Sequence, residues 1–294
     1  MIDWLQFTIQ LKFWSGRGTN KLTSRNKSKS SLRTVWSMFF IFLLLFGFNF
    51  AIDGSPGPTA RMWLLIGIWS LLISVLLLVK HKLPSKRQIE VSVLLALAVA
   101  AAYLDQSLFS MVENSILTLL ASLAVFSTFN RYKDGRLHFL DTRTSKSAAV
   151  SLLTGVAAGI LLGVLNLLVS GSISGDFSLN LSYFTVALSP AIYEEVGLRT
   201  IFYALCLSAL NGKIETQAQK FTVWFMMIIP HVLIHTPDSF INGSIVTGLI
   251  AVILFSVLFG LPFAVLQKKR DVTSAMLAHG IVDVIRFCFA GLPF

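Results

Sequence analysis

Two adjacent carboxylates and an arginine stand where charge is costly, in Ser189-Pro190-Ala191-Ile192-Tyr193-Glu194-Glu195-Val196-Gly197-Leu198-Arg199. The surrounding run from Leu181 to Leu210 is otherwise almost wholly apolar. Ionisable groups in such a segment usually face the protein interior, pair with one another or line a functional path. On a helix, Glu195 and Arg199 are four residues apart and share a face, so they can pair. Glu194 is turned about 100° from Glu195 by a repeat of roughly 3.6 residues per turn. It is left without that local partner, and a free carboxylate in a water-poor site can act as a general base.

Further ionisable groups follow in the same half of the chain. His231 and His235 share one apolar run, and His279, Asp283 and Arg286 share another. His231 with His235, and His279 with Asp283, are spaced i, i+4 and lie on common helix faces. A rise of roughly 1.5 Å per residue, counted from the basic-loop ends, sets Glu194 about 24 Å deep and His231 about 16 Å. By the same rise His279 is about 12 Å deep and Asp283 about 18 Å, with His235 nearer the far end of its segment. These groups can meet near mid-membrane in a cavity that admits water. A carboxylate and an imidazole can hold and deprotonate water, while a second imidazole and a carboxyl stabilise the oxyanion formed on a carbonyl. The chemistry on offer is hydrolysis, without Ser-His-Asp or Cys-His logic. Each residue also has a structural role to weigh: Glu195 with Arg199 reads as a structural ion pair, and a histidine in a span is often packing glue. Three helices carrying such groups within half a chain favour chemistry.

The elements that must position these residues are transmembrane helices. Of 294 residues, 55% are hydrophobic and 13% charged, with a mean hydropathy of +0.75. Apolar runs of about 18 residues or more recur, which excludes a soluble domain and, lacking short alternating segments, a β-barrel. The fold class is an all-α polytopic membrane protein. Nine spans are expected, near 35–52, 62–79, 89–104, 108–129, 147–169, 181–210, 221–235, 245–266 and 272–290. Eight is the alternative count, because the third span is short and contains Glu90. Pro190 is placed to kink the sixth.

The net charge of +10 does not signal nucleic acid. With the N-terminus cytoplasmic, the inside loops are 80–88, 130–146, 211–220 and 267–271, and every loop Lys and Arg except Arg61 falls inside. That is the positive-inside pattern of a multi-pass protein of the cell membrane. Residues 1–34 read as a basic cytoplasmic segment with an interfacial helix near Met1–Trp14, not a cleavable signal peptide. Residues 35–146 read as four accessory spans with almost no ionisable group inside them, and 147–294 as the chemistry-bearing core. Cys206 and Cys288 lie in apolar runs without a CxxC and read as packing residues.

These residues resemble the CPBP (CAAX protease and bacteriocin-processing, or Abi) family of intramembrane endopeptidases. Its pattern is Glu-Glu-x-x-x-Arg, then Phe-x-x-x-His, then His-x-x-x-Asn or Asp on successive helices. Glu194-Glu195-Val-Gly-Leu-Arg199 matches the first motif and His279-Gly-Ile-Val-Asp283 the third. The second departs: four residues before His231 stands Met227, and four before His235 stands His231. Both histidines stay open as its counterpart. The Pro237 that follows His235-Thr236 is given more weight than the depth of His231.

The resemblance implies a glutamate-type protease needing no cofactor or metal. Glu194 and the second-motif histidine activate water, His279 and Asp283 form the oxyanion side, and Glu195 with Arg199 holds the helix. Its substrates are membrane-associated peptides or proteins, in bacteria leader or signal-derived peptides. The short loops point to peptide processing, bacteriocin self-immunity or regulation. Three other readings use the same residues. A zinc protease would take His231-x-x-x-His235 as ligands, although the His-Glu-x-x-His pattern is absent. A scaffold would keep the fold and bind a membrane partner such as a sensor kinase. A proton-coupled transporter is disfavoured by confinement of the polar groups to one half.

Overall fold

Hydrophobic runs closed by capping side chains define the helices. The computed structural model describes residues 31–104, 106–133, 136–141 and 144–292. The interfacial helix expected near Met1–Trp14 lies outside them. Helix α1 spans Ser31–Asn49 and α2 Pro58–Lys80, with proline in its first turn. Helix α3, Lys86–Ala102, starts with a reciprocal Ser85/Gln88 capping box, which satisfies two otherwise orphaned N–H groups. Ser107 caps α4, Leu108–Arg131, and Thr144 caps α5, Ser145–Ser170.

The expected sixth span is composite. It comprises α6 (Leu181–Val186), a π-helical segment Pro190–Thr200 and α7 (Ile201–Ala209). Helix α8, Gln217–Leu233, opens on a Thr216/Gln219 capping box. The short α9, Pro237–Ile241, follows. Then α10 (Ile245–Phe255) passes through a π-helical turn, Ser256–Gly260, into α11 (Leu261–Lys269). Helix α12 is Val272–Ala290, capped by Asp271.

The described residues contain helices and no strand, and six helices are long and apolar enough to cross a membrane. The protein is a polytopic all-α chain. Helices also stand where the other three spans were expected: α3, the composite segment and α8. Their outward faces are apolar, as at Leu44, Leu72, Leu94 and Leu161, while Ser70, Thr118, Ser122 and Thr128 are buried. Apolar side chains outside and small polar ones inside are what a lipid solvent selects.

Arg61, the exception to the charge pattern, has a local explanation. Its guanidinium donates to Asn49 Oδ1 at 2.7 Å and Ile52 O at 2.7 Å, and also to the carbonyls of Asn49, Gly54 and Pro56. It closes the loop between α1 and α2.

One core extends through both halves, from Phe42 of α1 and Ile66 of α2 to Tyr203 of α7 and Met227 of α8. Helix α12 is held differently. Ser151, Gly155, Gly159 and Gly163 recur every four residues along α5 and are all buried against it. A Cβ at Gly155 would lie 2.7 Å from Ser274 O, and one at Gly159 2.7 Å from Ile281 Cβ. One at Gly163 would lie 2.6 Å from Ile285 Cδ1. The missing side chains let the two backbones touch, the usual way membrane helices gain packing. Since α12 carries His279 and Asp283, this stripe sets their position. Gly159→Val is expected to lower stability by about 1–3 kcal/mol, read by thermal unfolding in detergent, whereas Val164→Ala, on the exposed face of α5, is expected to change it little.

Candidate active site

The site is built on a widened helix. The expectation was an α-helix through Glu194; the structure instead forms a π-helix, in which the Ile201 N–H bonds back five residues to Val196 O. Such segments are rare and concentrate at functional sites. The altered ladder lets the Glu195 carbonyl accept side-chain donors, Thr200 Oγ1 at 2.7 Å and Gln267 Nε2 at 3.2 Å. Close packing supports the segment from α2, where Ser70 Oγ donates to Gly197 O at 2.6 Å.

Arg199 is fully buried, at 0% exposure, and binds three elements. Its Nε donates to Glu195 Oε2 at 3.0 Å. Its Nη1 donates to Gly260 O at 2.9 Å and Met227 O at 3.4 Å. Its Nη2 donates to His231 Nδ1 at 2.8 Å. Gly260 is required for this approach, because a Cβ there would meet Ile228 Cγ2 at 2.7 Å. A guanidinium can only donate, so His231 must accept at Nδ1 and carry its proton on Nε2. That Nε2–H faces Glu194 Oε2 at 2.7 Å.

Glu194 therefore has histidine partners in place of an arginine. Besides His231, His235 Nε2 stands 3.4 Å and His279 Nε2 3.7 Å from the same Oε2. His235 lies just beyond the end of α8, with its side chain 41% exposed and its ring edge-on to Trp63 at 5.2 Å between centroids. His231 and His235 approach at Nε2 to 3.3 Å.

Glu195 uses both oxygens. Oε2 accepts from Arg199 and, at 2.8 Å, from Gln267 Nε2. Oε1 accepts from His279 Nδ1 at 2.9 Å. His279 thus carries a proton on Nδ1 and turns Nε2 between Glu194 and Asp283, whose Oδ2 lies 3.6 Å away. Phe263 stacks on the His279 ring at 4.7 Å and 16°, and the Arg199 guanidinium lies 5.6 Å from the centre of the same ring.

Seven of the eight ionisable residues singled out in the sequence therefore meet in one cluster, and the eighth, Arg286, borders the cavities beside it. Three contributors were not singled out, Gln267 and Phe263 of α11 and Trp63 of α2; Glu113 of α4, also not singled out, borders an adjoining cavity. Gln267 and Phe263 are spaced i, i+4 in an apolar helix, and a carboxamide there was a readable signal. Glu113, a carboxylate inside an apolar span, gave the same signal as Glu194.

Two cavities flank the cluster. One of about 410 Å³ is bounded by Asn166, Arg199, His231, Phe263 and Asp283. The other, about 680 Å³, has Trp63, Tyr103, Glu113 and Glu194 on its walls. His235, His279, Asp283 and Arg286 border both. The ligand atoms of Glu194, His231 and His235 lie within 4.8 Å of one another, a spacing that a cation can use. A metal would need the Nε2 lone pair of His231, yet Arg199 occupies Nδ1 and leaves the proton on Nε2. Metal-bound histidines instead donate their second nitrogen to an acceptor.

No curated protein and no solved structure matches the chain significantly. Residues 176–285 match the family model described as Type II CAAX prenyl endopeptidase Rce1-like. The matched segment contains the π-helical segment, α8, α11 and His279 to Asp283, and leaves α1 to α5 outside it. Over residues 176–285 the chain is therefore similar to the CPBP family of CAAX-type intramembrane proteases, the likeness its motifs carry.

Proposed function

We propose that this chain hydrolyses peptide bonds of membrane-associated peptides or proteins through a water activated by Glu194. The observation that carries the reading is the convergence of His231, His235 and His279 on one carboxylate oxygen, at 2.7, 3.4 and 3.7 Å, beside a cavity. Glu194 removes a proton from water as the water oxygen attacks the carbonyl carbon. The oxyanion that develops accepts from Nε2–H of His279 in its doubly protonated form, whose Nδ1–H is held by Glu195 and whose Nε2 lies between Glu194 and Asp283. The proton then reaches the departing amine nitrogen from Glu194, with His235 as the exposed group able to relay it. Collapse breaks the C–N bond and releases a carboxylic acid and an amine, and the acid proton passes to the amine to leave a carboxylate and an ammonium.

Within this scheme His231 is the second-motif histidine, supported by its shorter contact with Glu194 and its tautomer fixed by Arg199. Glu195 and Arg199 are positioning residues. The matched family's description points toward prenylated substrates, while the short loops suit bacterial leader-type peptides or a role in self-immunity. A lipid-embedded peptide is common to both.

The deciding experiment compares peptide termini in cells carrying the native chain or Glu194→Gln at equal abundance. Termini generated only by the native chain are expected. Identical profiles with an intact cellular phenotype would favour the scaffold reading instead.

For the purified protein in lipid, Glu194→Gln and His279→Ala should each lower turnover by about 10²–10⁴-fold. His231→Ala should match that loss, whereas His235→Ala should retain measurable turnover. Equal, near-native rates for both histidine variants would refute the water-activating role of this pair. Chelation should leave cleavage unchanged, since His231 offers no free lone pair at Nε2.

Arg199→Lys tests positioning. A lysine cannot reproduce the forked donor set, and loss of one partner from a buried ion pair typically costs about 3–5 kcal/mol. Its thermal midpoint should fall well below that of Glu194→Gln.

A further inference from the structure

Glu113 stands in α4, five residues after its start, and takes part in no hydrogen bond or ion pair among the described residues. Carboxylates inside membrane segments are costly and normally pair or face a water-filled cavity. Glu113 faces the larger cavity, whose wall also includes Glu194. The aromatic residues Trp63, Tyr103 and Phe109 border that same cavity. A carboxylate among aromatic faces is a recognition environment for a cation, because ring faces attract ammonium and guanidinium groups. Arg286 also borders this cavity, yet forms no ion pair with Glu113, so the carboxylate is open to a ligand.

We propose that Glu113 is a specificity residue: it receives a lysine or arginine side chain of the substrate while the neighbouring peptide bond lies against Glu194. The assignment of the ligand as substrate rests on the hydrolytic reading; the cation subsite itself does not. Its position is informative, since α4 lies outside the segment matched by the family model. The accessory helices then contribute substrate selection to a reaction centre built by the C-terminal half.

The test uses binding, so it does not depend on cleavage. The Glu194→Gln chain is placed in nanodiscs of phosphatidylglycerol alone. Fluorescent leucine–alanine peptides are titrated in, identical except that one lysine, glutamine or glutamate is moved along the sequence. At one register the lysine peptide should bind about tenfold tighter than the glutamate peptide. Adding Glu113→Gln should abolish that preference and leave the glutamine peptide unchanged; Glu113→Lys should reverse it. The thermal midpoint of each variant checks folding.

Repeating the titration with phosphatidylethanolamine present separates the sources of the cation. Competition by the lipid amine without lysine preference in its absence would overturn the peptide assignment. A lysine preference that survives Glu113→Gln, or no preference at any register, would overturn the subsite. Cleavage of the same peptides by the native chain tests the hydrolytic reading separately.

Discussion

The arrangement depends on one buried guanidinium. Arg199 connects the π-helical segment to α8 through His231 and Met227, and to the α10–α11 junction through Gly260. Protein acceptors meet each of its three nitrogens. An unpaired charge at this depth would be strongly unfavourable, so the same contacts that satisfy Arg199 also fix the three elements around it. The chemical consequence is equally direct. By donating to His231 Nδ1, Arg199 decides which imidazole nitrogen bears hydrogen and therefore what Glu194 meets.

Two adjacent glutamates serve different partners because backbone and side chains share the task. Glu195 points into a closed shell of Arg199, Gln267 and His279 and is fully buried. Glu194 points to the histidines and borders a cavity. His279 lies between them, bonded to Glu195 at Nδ1 and near Glu194 at Nε2. An orienting carboxylate on one nitrogen leaves the other directed at the reacting space. Gly260 and the α5 glycine stripe supply the backbone approach that this geometry requires, one beside Arg199 and the other beneath His279.

Much of this was legible in the sequence for a simple physical reason: in lipid, charge without function is seldom tolerated. Glu194, His231 and His279 stood out against apolar runs, and those runs also set the helices. What was not legible depended on orientation. The i, i+4 rule related Glu195 to Arg199 but could not reveal that its other oxygen holds His279, a residue 84 positions away. The π-helix was hidden because its signal is a hydrogen-bond pattern, not a composition. The proline that weighed toward His235 as the second-motif histidine, Pro237, begins α9, a turn that sequence spacing alone did not show. Glu113 stands alone in its apolar run, with no ionisable neighbour at i, i+3 or i, i+4 spacing to mark it.

Glu113 bears on how the protein is divided. The first four helices carry few charges, but they are not remote from the cluster. Ser70 of α2 bonds the π-helical backbone, Trp63 of α2 lies against His235, and Tyr103, just beyond α3, bonds Ser189 at 2.8 Å. The larger cavity has walls from both halves. A hydrolytic centre in lipid needs more than reacting groups: it needs a polar volume in which water and an extended peptide can coexist, bounded by side chains that choose the peptide. The C-terminal half supplies the acid, the imidazoles and the guanidinium that orders them. The remaining wall comes from helices with no part in the family match, so the polar volume beside the cluster is closed only when both halves of the chain pack together.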